Sequence, residues 1–131
     1  MRDTHDGMPE IIDAFGKDDQ YFGIIEIVIG GVSKKFQFGI SQNGYRELRK
    51  LLQLRPFDSM PGVTNRYFFA NTYGKLPDSS NYRSYFRVEQ GRDAKKVEII
   101  VPKNLLANLV WFSQIKDFGE AEHLPVIKEA R

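Results

Sequence analysis

Arg83, Tyr85 and Arg87 stand two apart in a run, residues 82–89, that alternates between polar and apolar side chains. Residues two apart on an extended strand project from one face, so two guanidinium groups would flank one phenol ring. Ser84, Phe86 and Val88 would take the opposite, core-facing side. Strand rise sets the outer pair roughly 13 Å apart, about the reach of two nucleotides of backbone. Arginine holds phosphate through a planar fork of donors, and an exposed ring stacks on a base for about 1–3 kcal/mol. Upstream, Arg66 opens a second aromatic run, where either Phe68 or the set Tyr67, Phe69 and Tyr73 would join it, depending on which face is core. Lys34 and Lys35, and again Lys95 and Lys96, follow a glycine turn and would place a positive pair at the same end of two hairpins. Arg83, Tyr85, Arg87, Lys95, Lys96, Lys34, Lys35 and Arg66 form the candidate binding set. Glu89 and Glu98 weigh against it, because charged residues on exposed strands commonly serve only to solvate a face or guard an edge.

Other chemistries find less support. His5 and His123 are the only histidines, one near each end and neither at ligand spacing from a carboxylate, so no metal site is expected. No Gly-x-Ser-x-Gly elbow occurs, and the commonest general base lies outside the core, so no catalytic residue is assigned and an enzyme is the least supported class. Gly30-Gly31 precedes a strand rather than a helix, unlike a phosphate-cradling loop. No cofactor is expected. With no cysteine among 131 residues, disulfides and thiolate sites are excluded; a reducing, cytoplasmic setting is the expectation. The longest apolar run, 24–29, is interrupted by Glu26 and is far too short for a bilayer span. A formal net charge of +2 is too small for general attraction to a polyanion, so placement of the basic residues must carry any nucleic-acid reading.

The elements that would position these residues follow from periodicity. Residues 25–54 and 86–115 match in register: an apolar strand, a glycine (Gly30, Gly91), a lysine pair, and a return strand with Phe36, Phe38, Ile40 against Val97, Ile99, Val101. Ser41 and Pro102 then open amphipathic helices, with Asn43 matching Asn104. The first helix stops before Pro56, and the second is expected to close near Phe118-Gly119. Residues 20–29 are apolar on both faces, with Tyr21, Ile25, Ile27, Ile29 on one and Phe22, Ile24, Val28 on the other. Such a strand is expected to be covered twice, by helices and by a second sheet or a partner subunit. The organisation expected is an N-terminal arm at 1–19, one domain at 20–118 with an internal repeat (20–54 and 66–118), and a tail at 119–131. Residues 55–65, with Pro56, Pro61 and Gly62, would connect the copies. The fold class is α+β, an antiparallel sheet with two helices built as a pseudo-two-fold duplication of a strand-turn-strand-helix unit.

The passage from Lys35-Phe36-Gln37-Phe38-Gly39-Ile40-Ser41 into a helix, repeated as Lys96-Val97-Glu98-Ile99-Ile100-Val101-Pro102, resembles the PUR repeat of purine-rich nucleic-acid-binding proteins. Arg66-Tyr67-Phe68-Phe69 is similar to that repeat's aromatic opening strand. Whirly-like nucleic-acid binders share the same general pattern. The resemblance covers 20–118, although two or three strands precede each helix here where the family has four. It implies curved antiparallel sheets backed by helices, with single-stranded DNA or RNA on the sheets. The competing expectation is a protein-protein module, a homodimer or an inhibitor, using the aromatic strand. Tyrosine, phenylalanine and arginine suit such interfaces as well.

Overall fold

The structure, a computed structural model, describes residues 8–54, 65–76, 80–123 and 128–129. Strand β1 (Glu10–Lys17), β2 (Gln20–Ile29) and β3 (Val32–Ile40) lead into helix α1 (Gln42–Gln53). Strand β4 (Asn65–Lys75), β5 (Asn81–Gln90) and β6 (Asp93–Pro102) lead into α2 (Lys103–Gln114). A 3-10 turn (Phe118–His123) and a two-residue strand, β7 (Lys128–Glu129), follow. The strands form one sheet in the order β6-β5-β4-β1-β2-β3-β7, with every neighbouring pair antiparallel. Among the described residues the chain is thus an α+β fold, two three-stranded antiparallel meanders joined in one sheet through β1 and β4, with two helices on one face. Strand, strand, strand, helix occurs twice in the chain. Starts at 20, 32 and 42 in the first half stand against 81, 93 and 103 in the second, a constant offset of 61.

Alternation explains the core. Ile25 and Ile27 of β2, Phe36 and Phe38 of β3, Phe86 and Val88 of β5, and Ile99 and Val101 of β6 turn one face toward Leu48 and Leu51 of α1 and Leu105, Leu109 and Phe112 of α2. Ile29, Leu52 and Val97 pack half-buried at its margin. Helix α1 lies on β1 and β2 and also touches β6, while α2 reaches β3 as well as β5 and β6. Edge strand β6 is three places from β1, so the twisted sheet curls around both helices. The helices meet near their first turns. A Cβ on Gly44 would stand 3.6 Å from that of Leu105 and only 3.2 Å from that of Ile40, so glycine keeps the α1 entry close to both. The Ser41 hydroxyl caps α1 by accepting from the Gly44 amide at 3.0 Å.

Several expectations change. Residues 10–17 of the expected arm are β1, which pairs with β2 along its length and with β4 through Glu10 opposite Phe68 and Ile11 opposite Tyr67. Its turn into β2 uses Asp18 and Asp19, both in the left-handed region at φ 53° and 62°; aspartate tolerates that conformation better than most residues. Each helix is therefore preceded by three strands. Helix α2 ends at Gln114, earlier than expected, and Gly119 takes no positive φ. Within the expected tail, Ala121 is fully buried and β7 pairs with β3. On the second face of β2, Phe22, Ile24 and Val28 are half-buried, and neither described helix packs there. The first seven residues, the connection at 55–64 and the patch at 124–127 lie outside the described residues.

Gly23 of β2 faces Phe38 of β3 across the ladder. A Cβ on Gly23 would fall 2.6 Å from Phe38 Cζ and 3.0 Å from Leu48 Cδ1. At the matching place in the second half, buried Ser84 faces the smaller Ile99; side-chain volume is shared differently across the two ladders. Gly23→Ala is expected to cost about 1–3 kcal/mol by overpacking, and Phe38→Ala or Leu109→Ala about 2–5 kcal/mol by cavity formation, read from urea denaturation. Gly23→Ala combined with Phe38→Ile should lose less than the two changes separately. Full additivity would show that the glycine is not making room for the ring.

Candidate nucleic-acid interface

The face of the sheet turned away from the helices carries the candidate side chains. Ladder register lays Lys96, Arg87, Phe68, Glu10, Glu26 and Lys35 in one row across β6, β5, β4, β1, β2 and β3. Directly opposed residues of an antiparallel pair share a face. Along β5 this outer face shows Arg83, Tyr85, Arg87 and Glu89, because Ser84, Phe86 and Val88 are buried against the helices. Glu98 of β6 lies opposite Tyr85, and Lys96 lies opposite Arg87. The Lys96 ammonium stands 5.6 Å from the centre of the Tyr85 ring, within cation–π range. Arg83 is exposed, while Tyr85 and Arg87 are half-buried.

A chain of alternating charge borders this cluster. Arg66 donates twice to Glu10, Nε to Oε2 and Nη2 to Oε1, both at 2.7 Å. Arg66 lies opposite Glu89 in the ladder, and Glu89 bridges Arg87 at 2.9 Å. Glu10, Arg66, Glu89 and Arg87 thus alternate in sign beside Phe68, which has no exposed surface although it points away from the helical core. The Arg66 guanidinium lies 5.2 Å from the Phe68 ring centre. This answers which face of β4 is buried: Tyr67 and Phe69 enter the helical core, and Phe68 is buried on the outer side. With Glu10 only 8 % exposed, the bidentate pair is a structural clamp between β1 and β4.

The lysine pairs divide. Lys35 and Lys96 take the outer face, whereas Lys34 lies opposite Ile27 and Lys95 opposite Val88, both core-facing positions. The Lys34 ammonium sits 5.1 Å from the Phe118 ring. Lys35 is five strand spacings from Lys96, about 24 Å along the row, and its ladder neighbour is Glu26. The structure therefore brings together Arg83, Tyr85, Arg87 and Lys96, sets Arg66 at their border, and separates Lys34, Lys35 and Lys95 from them. Glu10 escaped sequence reading because its partner is 56 positions away; its one local signal was its place just before the apolar residues Ile11, Ile12, Ala14 and Phe15 of the expected arm.

The two halves of the outer face differ in chemistry at matching positions. Where β5 has Arg83, Tyr85, Arg87 and Glu89, β2 has Phe22, Ile24, Glu26 and Val28. Phe15 of β1 stacks on Phe22 with ring centres 5.4 Å apart, extending the apolar half. Among the described residues no three histidine, aspartate or glutamate side chains cluster as metal ligands, and no helix is long and apolar enough to cross a membrane. No protein-family model, curated protein or solved structure matches the chain.

Removing Arg66 leaves a nearly buried carboxylate without its main partner. Arg66→Ala is expected to cost about 1–3 kcal/mol, above the fraction of a kcal/mol typical of exposed ion pairs, by chemical denaturation. Arg66→Met with Glu10→Met should recover much of that loss, as buried pairs replaced by apolar residues often do. A loss under about 0.5 kcal/mol for Arg66→Ala would mark the contact as an ordinary surface pair.

Proposed function

We propose that this chain is a non-catalytic domain that binds single-stranded DNA or RNA on the β5–β6 half of its outer sheet face. One observation carries the proposal: a half-buried Tyr85 ring with Arg83 and Arg87 on either side along its own strand and the Lys96 ammonium 5.6 Å from its centre. A base stacks on the ring, and the phosphates before and after it meet the guanidinium groups. Arg87 is shared with Glu89, so its gain on meeting a phosphate is a difference between two anions. We read the two strand-strand-strand-helix halves as an internal duplication; the constant offset of 61 supports that reading, as does the resemblance of both strand-to-helix passages to PUR repeats. A cysteine-free chain suits the reducing cytoplasm, where we place it.

The apolar half of the outer face favours a second reading, a protein-contact module that engages its partner through Phe15, Phe22, Ile24 and Val28. Salt separates the two, because phosphate neutralisation gives a steep dependence of affinity on salt and an apolar contact does not.

Titrating a fluorescent single-stranded oligonucleotide across a salt series tests the proposal. Tyr85→Ala should weaken binding by about 1–3 kcal/mol with the salt slope nearly intact. Arg83→Ala or Arg87→Ala should lower the slope by about 0.7 unit each. Unchanged binding by the triple alanine variant, with its circular dichroism intact, would remove this site and favour protein contact.

A further inference from the structure

Helices α1 and α2 occupy matching places, yet their outer faces differ. At the positions where α1 carries Tyr45, Arg46, Arg49 and Lys50, α2 carries Leu106, Ala107, Val110 and Trp111. Arg46 and Lys50 are exposed, and Arg49 reaches the carboxylate of Asp13 and the carbonyl of Ala14. On α2, Ala107 is exposed and Leu106, Val110 and Trp111 are half-buried, leaving an apolar groove of about 350 Å³ beside Tyr82. Two kinds of surface thus occur at one position in the fold, and only the second is costly to leave in water.

We infer that this groove is occupied by the same groove of a second copy, with the two α2 helices antiparallel about a two-fold axis. The stripe is self-complementary in that direction. Setting Lys103 against Gln114 of the second copy also sets Leu106 against its Trp111 and Ala107 against its Val110. Both of the other pairings place a smaller side chain opposite a larger one, and alanine near the axis lets the helices approach to the usual 8–10 Å. Charge favours the same direction. Within its own chain α2 has no acidic residue in its first turn, no basic residue in its last, and no side-chain cap at Pro102. Lys103 instead puts a cation at the positive end of the helix dipole. In the antiparallel dimer that cation lies over the negative end of the second copy's helix, about 17 Å along the axis from its own counterpart position. A parallel arrangement would bring the two Lys103 ammonium groups together.

The dimer leaves both outer sheet faces free, since α2 is on the other side of the sheet. It does not rest on nucleic-acid binding, and its test involves no ligand. Sedimentation of the full chain across a concentration series should give twice the 15.1 kDa chain mass. Ala107→Arg, at an exposed position that the monomer core does not use, should return the single-chain mass with unchanged circular dichroism. Lys103→Glu should weaken the dimer, and adding Gln114→Lys should restore it. The chain has no cysteine, so Ala107→Cys supplies one thiol per copy. A short bifunctional thiol reagent should join that variant into a dimer and leave Asp93→Cys, at the β5–β6 turn, unjoined. A single-chain mass at every concentration, a dimer indifferent to Ala107→Arg, or failure of Gln114→Lys to rescue Lys103→Glu would overturn the inference.

Discussion

The ladder between β1 and β4 is the contact on which the rest of the sheet depends. Each half is a three-stranded antiparallel meander that brings one helix with it. Alone, each would expose the backbone edge of its first strand, and its helix would cover too small a sheet. The ladder is short, Glu10 opposite Phe68 and Ile11 opposite Tyr67, and side chains reinforce it on both faces. Toward the helices, Ile11 and Tyr67 enter the common core; on the outer face, Arg66 clamps Glu10 across the junction. Helix α1 spans the same seam by packing on β1, β2 and β6. Curling of the sheet and sharing of the core are thus two aspects of one constraint, that the halves can bury their apolar faces only together.

Once the halves are joined, matching backbone positions are free to carry different chemistry, and they do so in a crossed pattern. The first half carries an apolar patch of Phe15, Phe22, Ile24 and Val28 on its outer sheet face, beside Glu10, Glu26 and Lys35, and a charged helix. The second carries Arg83, Arg87, Glu89 and Lys96 on its outer sheet face and an apolar helix stripe. Core demands do not explain the sheet difference, since the outer sheet residues pack outside the helical core; on the helices Arg46, Lys50 and Ala107 are exposed, while Tyr45, Leu106, Val110 and Trp111 pack against the core at its margin. Even inside it, Gly23 with Phe38 and Ser84 with Ile99 solve one packing problem with different volumes. The outer chemistry is therefore where a division of labour between the halves would be written.

Sequence periodicity made β2, β3, α1, β5, β6 and α2 legible, because in these elements the two-residue and near-four-residue repeats run without interruption. Strand β1 was not legible as a strand. A bulge between Ile11 and Asp13 resets the alternation, so the core residues Ile11 and Ala14 are three apart and read as an isolated apolar island. Strand β4 has two such interruptions, between Phe69 and Asn71 and between Thr72 and Gly74, which left its buried face open to either reading. The Asp18-Asp19 reversal lacks the glycine that usually marks such a turn. At the candidate site, Arg83, Tyr85 and Arg87 were legible because one strand carries all three. Lys96 joining them and Lys95 leaving them follows from alternation once both are placed on β6 rather than in a turn. The Glu10–Arg66 clamp was beyond reach, since no local pattern records a contact between strands so distant in the chain.

That the outer face is divided, with ligand taken by the β5–β6 half alone, is most directly tested by amide chemical-shift mapping of the full chain during titration with a single-stranded oligonucleotide at low salt. The account predicts shifts centred on Arg83, Tyr85, Arg87 and Lys96 that fade toward β2, and reversal of those shifts as salt is raised. Shifts centred instead on Phe22, Ile24 and Val28, or none at any oligonucleotide concentration, would contradict it.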